Sequence, residues 1–120
     1  MNTSTKILTR TIIDSIQNVK GKKIILADLT HIEDTICDYL IICEGNSNTQ
    51  VNSIVEHVRD EVKRQTGEST LAIDGLRNAE WVAMDYGNVV VHIFLPDVRN
   101  YYNLETLWAD AVLETIPDLD

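Results

Sequence analysis

The chain has 120 residues, a hydrophobic fraction of 44 % and a formal net charge of −9, with 19 acidic against 10 basic side chains. That length fits one domain with a real core, and the apolar fraction argues against disorder. The charge excludes a broad nucleic-acid-binding face, which would need Lys and Arg, and steers the protein toward a basic partner surface. Lys6, Arg10, Lys20, Lys22 and Lys23 oppose Asp14 alone in residues 1–23, whereas from Asp97 onward Arg99 alone opposes the carboxylates. Cys37 and Cys43 are the only cysteines, and with no leader-like segment ahead of them they read as reduced thiols. No apolar run approaches the ~20 residues that span a bilayer. A cytoplasmic protein without a membrane partner is expected, and a transit peptide in a longer precursor is compatible with this.

In chain order, Ser4 is a candidate N-cap for a first helix whose Leu8, Ile12, Ile16 and Val19 share a face, with Gly21 as its stop. Ile24 to Leu29 is a continuous apolar run, as is Tyr39 to Cys43; both suggest strands covered on both faces. Thr30 to Thr35 reads as a loop. Ser47 and Gln50 form a capping-box pattern ahead of Val51, Ile54, Val55, Val58 and Val62, which recur at helical spacing up to Gly67. A short strand is predicted over Thr70 to Ile73, followed by a loop at Asp74-Gly75. Trp81–Met84 and Val89–Leu95 flank Asp85-Tyr86-Gly87-Asn88 as a hairpin. Alternation sets Val89, Val91, Ile93 and Leu95 on one face, and Val90, His92 and Phe94 on the other. Pro96 ends that strand, and Asp97 can cap a final helix carrying Tyr101, Leu104, Trp108, Ala111 and Val112 along one side. The tail from Ile116 around Pro117 is expected to be mobile. The order α-β-β-α-β-β-β-α indicates a single α/β (α+β) domain with a mixed five-stranded sheet flanked by helices.

The residue types limit the chemistry. Cys37, Cys43, His31, His57 and His92 lack zinc-ligand spacing, so no metal is expected. Ser47, Ser53 and Ser69 sit in no nucleophile elbow, and Cys43 lies in an apolar strand that should raise its pKa. Gly45-Asn46-Ser47 stands where an anion could bind a helix N-terminus, yet neither phosphate-binding glycine pattern is met. Asp28, Asp38, Asp74 and Asp85 are scattered singly, without the carboxylate pair that nucleotidyl transfer requires. His92 is equally readable as a core histidine or as a polar group in a binding face.

The stretch from Asp74 to Trp108 holds every aromatic residue except Tyr39. Trp81, Val89, Val91 and Ile93 read as sheet and core. Tyr101 and Tyr102 stand about 100° apart on a helix, and so do Leu107 and Trp108, so neither pair can point wholly inward. A final helix apolar on more than one face, rimmed by Arg99, Glu105 and Asp110, reads as an interaction surface.

The chain resembles the ribosomal silencing factor family (RsfS, or Iojap-related proteins). The resemblance rests on Asp38-Tyr39-Leu40-Ile41-Ile42-Cys43 with Gly45 and Ser47; Gln50-Val51 and Ser53-Ile54; Gly75 and Trp81-Val82; Asp85-Tyr86-Gly87 and Val89 to Phe94; and Arg99, Tyr101-Tyr102, Leu104-Glu105 and Leu107-Trp108. The pattern departs at Ser47-Asn48-Thr49-Gln50, where the family often has an Arg, and at Gly87-Asn88, where Gly-Asp is common. Residues 109–120 fall outside the common pattern, as a C-terminal extension of a domain spanning 1–120. The resemblance implies a nucleotidyltransferase-like fold without the acidic motif, in a protein that is not an enzyme and takes no cofactor. It implies binding to the large ribosomal subunit through large-subunit ribosomal protein fourteen, steric blocking of subunit joining under nutrient limitation, and a homodimer when free. Sequence-specific nucleic-acid binding is not expected. On that reading Tyr102, Leu104, Leu107 and Trp108 are anchors beside Tyr101 and Arg99, with Asp85, His92 and Glu105 as polar contacts. The alternatives are a large-subunit assembly factor, a nucleotidyltransferase-like remnant that binds nucleotide, and a generic dimeric scaffold.

Overall fold

A computed structural model describes residues 3–35, 37–103 and 111–119. Helix α1 spans Thr3–Asn18. It begins ahead of Ser4, which therefore lies within the helix rather than capping it. Leu8, Ile12 and Ile16 are buried along one face, as the spacing predicts. The buried hydroxyls of Thr9 and Ser15 donate to the carbonyls of Thr5 and Thr11 at 2.8 and 2.6 Å, so their burial leaves no polar atom unsatisfied. The helix ends through Lys20, whose φ of 62° is left-handed, and Gly21 donates its N–H to the Ile16 carbonyl at 2.9 Å. Helix α2, Asn48–Thr66, buries Val51, Ile54, Val55, Val58 and Val62 and stops at Gly67 with φ 80°.

The sheet comprises β1 (Lys22–Asp28), β2 (Tyr39–Glu44), β3 (Ala72–Asp74), β4 (Trp81–Asp85), β5 (Val89–Phe94) and β6 (Val112–Ile116), in the spatial order β3-β4-β5-β2-β1-β6. Only the β2–β5 pairing is parallel, with Ile42 opposite His92; the other pairings are antiparallel. Strand β2 is buried at every position, which accounts for its unbroken apolar run. Helices α1 and α2 lie against Ile41, Cys43, Val82, Met84, Val89, Val91 and Ile93 on one face. A second cluster of Ala27, Leu29, Cys37, Leu40, Ile42 and Phe94 covers part of the other.

The C-terminal third differs from the sequence reading. The sheet has six strands, not five. The last helix among the described residues, α3, is Pro96–Tyr102, and Asn103 ends it in the left-handed conformation (φ 49°) with its N–H on the Arg99 carbonyl. Leu95 holds the cap position, Pro96 starts the helix, and Asp97 sits in its first turn, where a carboxylate suits the helix dipole. Ala111 and Val112 are not helical: Val112 opens β6, pairing with Asp28 of β1. Leu104 to Asp110 lie outside the described residues. The tail expected to be mobile is tethered. Gln17 Nε2 donates to the Pro117 carbonyl at 3.0 Å, Lys22 Nζ to the Leu119 carbonyl at 3.1 Å, and the Lys23 N–H to Asp118 Oδ1 at 2.8 Å.

Two glycines separate conformational strain from packing. Gly67 and Gly75 both have positive φ, but a Cβ on Gly67 meets nothing, whereas one on Gly75 runs into the Trp81 carbonyl. Gly67→Ala is expected to cost about 1 kcal/mol in urea unfolding, the left-handed penalty alone, and Gly75→Ala severalfold more. Equal losses would contradict this placement of Gly75.

Candidate interaction surface

Alternation in β4 and β5 sends two sets of side chains to opposite faces. Val82, Met84, Val89, Val91 and Ile93 enter the helix-covered core, and Trp81, Ala83, Asp85, Val90 and His92 stand half-buried on the other side. The register sets Trp81 beside Phe94, Ala83 beside His92 and Asp85 beside Val90. Helix α3 brings Tyr102 against this row. The Trp81 ring lies 5.0 Å from Phe94, 4.7 Å from Tyr102 and 5.8 Å from His92, and Tyr101 meets Tyr102 edge-on at 5.0 Å. Tyr101 is 82 % exposed and Tyr102 50 % exposed. The result is an aromatic ladder running from a buried Phe94, through a half-buried Trp81, to open tyrosines. Such rings supply large contact area at low entropy cost and are enriched where interfaces concentrate their energy.

His92 is fixed in the neutral state. Trp81 Nε1 donates to its Nδ1 at 2.8 Å, which requires a free lone pair there, and burial pushes its pKa down to about 4. It serves the ladder as an acceptor that orients Trp81. Asp85 is half-buried, and its carboxylate accepts the Gly87 N–H at 2.7 Å, closing the hairpin turn. Exposed Glu80 and Asp97 add negative charge on the segments that flank Trp81 and open α3.

Arg99 is not on the rim. Its guanidinium is buried, donates to Glu44 Oε2 at 3.2 Å and to the Lys23 carbonyl at 2.7 Å, and so ties α3 to the ends of β1 and β2. An unpaired carboxylate buried at the end of β2 would be costly, and Arg99 is what satisfies it. Trp81, read as sheet and core from the sequence, opens β4 and packs half-buried against the smaller cluster on the face away from α1 and α2. Of the other expected contact residues, the structure brings His92, Tyr101 and Tyr102 into the ladder and places Asp85 on the same sheet face at the hairpin end of β4, opposite Val90; Leu104, Glu105, Leu107 and Trp108 lie outside the described residues.

The other candidate chemistries do not assemble. Among the described residues no three His, Cys, Asp or Glu side chains gather as a metal site. Cys37 and Cys43 are buried, and burial pushes their thiols up to about 11 and about 12. At the start of α2, Ser47 Oγ accepts the Gln50 N–H at 3.1 Å, and Gln50 Oε1 accepts the Asn46 N–H at 2.6 Å. Two of the N–H donors at this helix start, those of Asn46 and Gln50, are thus taken by side chains of the cap itself. Gly45 serves packing there, since a Cβ would press on Val51.

The family profile described as "Ribosomal silencing factor during starvation" matches residues 2–120. The chain belongs to the ribosomal silencing factor family. Within this family, the "Ribosomal silencing factor RsfS" of Bacillus subtilis is 41 % identical over 101 residues, covering 84 % of this chain and 81 % of that one. A mouse protein named "Mitochondrial assembly of ribosomal large subunit protein 1" is 29 % identical over 92 residues, covering 68 % of this chain and 40 % of its own. A crystal structure of a Chromobacterium violaceum protein superposes with a TM-score of 0.81 at 35 % identity, covering 87 % of this chain and 85 % of the other. The family name is that of a regulatory factor.

Two residues of this face escaped the sequence reading. Trp81 shares parity with Asp85 in Trp-Val-Ala-Met-Asp, and that parity was the available signal that it packs on the smaller cluster rather than under the helices. Glu44 gave none, because its partner lies 55 positions away.

Two outcomes test the site. Between pH about 4 and 6.5 the unfolded chain binds a proton at His92 that the folded chain refuses. Stability should therefore fall as pH is lowered through that window, and His92→Gln should flatten the fall. Parallel stability–pH curves for the two proteins would exclude a neutral, buried His92. Arg99→Met should cost roughly 3–5 kcal/mol in urea unfolding by stranding Glu44, and adding Glu44→Gln should recover part of that loss. Additive losses would mean that the pair is not coupled.

Proposed function

We propose that this chain binds the large ribosomal subunit through large-subunit ribosomal protein fourteen and sterically blocks joining of the small subunit, repressing translation when nutrients are scarce. Family membership supports the ribosomal setting and the starvation context. The observation that carries the surface assignment is the aromatic ladder of Trp81, His92, Tyr101 and Tyr102 on the sheet face opposite α1 and α2. Apolar rings flanked by carboxylates, in a protein of charge −9, fit a basic protein patch and repel bare phosphate. No bond need be made or broken, because an occupied face cannot receive the other subunit. Leu104, Glu105, Leu107 and Trp108 belong to this proposed contact, with Tyr101 and Tyr102 preceding them in sequence. The free protein on this reading is a cytoplasmic homodimer.

A role in large-subunit assembly is the second reading, favoured by the name of the mouse relative. Both readings use the same contact, and they differ in which subunit, mature or immature, carries the protein.

Tyr102→Ala is expected to weaken co-sedimentation with purified large subunits at least ~30-fold, the effect of losing an interface anchor worth about 2 kcal/mol. Its circular dichroism and urea midpoint should stay near wild type, because half of the ring is already in solvent. Leu71→Ala, which truncates a side chain that is 74 % exposed on the segment entering β3, serves as the control and should leave binding unchanged. Equal binding by both variants would remove the ladder from the contact.

A further inference from the structure

Two helices do not cover six strands. Among the described residues, α1 and α2 pack mainly over β2, β5 and β4, and on the same face Leu26 of β1 and Ile116 of β6 are only partly covered beside α1. The gap is a groove of about 440 Å³, floored by Leu26, Tyr39 and Ile116 and walled by Ile13, Lys6 and Arg10 of α1. Gln17 also lines it, and its side-chain bond to the Pro117 carbonyl at 3.0 Å ties α1 to the tail that follows β6. This volume lies in the range of small-molecule sites, which are mostly apolar with a few placed polar groups.

Lys6 and Arg10 stand one helical turn apart, so they project to the same side. Neither forms an ion pair with a described residue, although acidic side chains outnumber basic ones 19 to 10 in this chain. Asp14, a further turn along α1, and Glu114, opposite Leu26 in the β1–β6 register, also border the groove. A polyanion such as RNA or an acidic tail would meet these two carboxylates along with the two cations. A ligand with one anionic group and an apolar body can set its charge at the Lys6 end, about two turns from Asp14, and fill the floor, so it meets less of that repulsion.

We propose that the groove between α1 and the β1–β6 pair is a binding site for a small amphiphilic organic anion, a single sulfonate, phosphate or carboxylate on an apolar ring system. Lys6 and Arg10 hold the anion, and Ile13, Leu26, Tyr39 and Ile116 receive the apolar body. The site lies on the opposite face of the sheet from the aromatic ladder, and it stands or falls independently of ribosome binding.

The probe is 8-anilinonaphthalene-1-sulfonate, titrated into the full chain by fluorescence and by amide chemical-shift mapping. Saturable binding is expected, with shifts confined to α1, β1, β6 and the Tyr39 end of β2, and with displacement by 1-naphthyl phosphate. Lys6→Glu combined with Arg10→Glu should weaken it about tenfold or more, the effect of reversing two partly screened charges. Both side chains are exposed and form no ion pair with a described residue, so the double variant should fold; Lys6→Ala with Arg10→Ala should give a smaller loss. Lys63→Glu, remote on α2, should change nothing. Shifts centred on Trp81 and Tyr102, indifference to the α1 variants, no displacement by 1-naphthyl phosphate, or a groove closed by self-association of the chain would each overturn the proposal.

Discussion

The organising constraint of this molecule is a mismatch of area. A six-stranded sheet has two faces to cover, and its two long helices both pack on one of them. The hydrophobic effect fixes that side firmly: α2 presents five fully buried aliphatic residues, and β2 and β5 answer with Ile41, Cys43, Val91 and Ile93. Among the described residues the opposite face has a smaller cluster, against which Trp81 of β4 and Val90 of β5 are partly buried. Exposed tyrosines backed by half-buried Trp81 cost solubility unless something binds them, which is the physical ground for proposing a partner there.

That surface depends on one electrostatic pin. Helix α3 has seven residues, too few to be stable alone, and its cap position makes no side-chain bond. The buried Arg99–Glu44 pair, with the Lys23 carbonyl as a further acceptor, anchors it to the sheet. Tyr101 and Tyr102 are positioned because Arg99 is positioned. The pair is therefore better understood as setting geometry than as adding net stability, since burying two charges is itself expensive. A neutral His92 does comparable work for Trp81 through one hydrogen bond.

Much of this was legible in the sequence, where local periodicity and local chemistry agree. The α2 stripe, its capping box, the β4–β5 hairpin and the alternation of β5 all follow from spacing, because each is decided within a few residues. The C-terminal third was not legible for the same reason in reverse. Ala111 and Val112 continue a helical pattern begun at Tyr101, but Asn103 adopts a left-handed conformation and ends the helix. Val112 to Ile116 then joins the sheet through β1, more than 80 positions earlier. Arg99 looked like a rim residue because nothing nearby signals a buried carboxylate. The aromatic site was half legible: composition located it, and the register decided which rings it uses.

Subunit joining measured by light scattering tests the central claim most directly, with purified large subunits incubated with excess protein before small subunits are added. The account predicts that the joined-ribosome signal falls in a saturable manner as protein is added. An unchanged joined fraction at an excess that saturates the large subunit would contradict it.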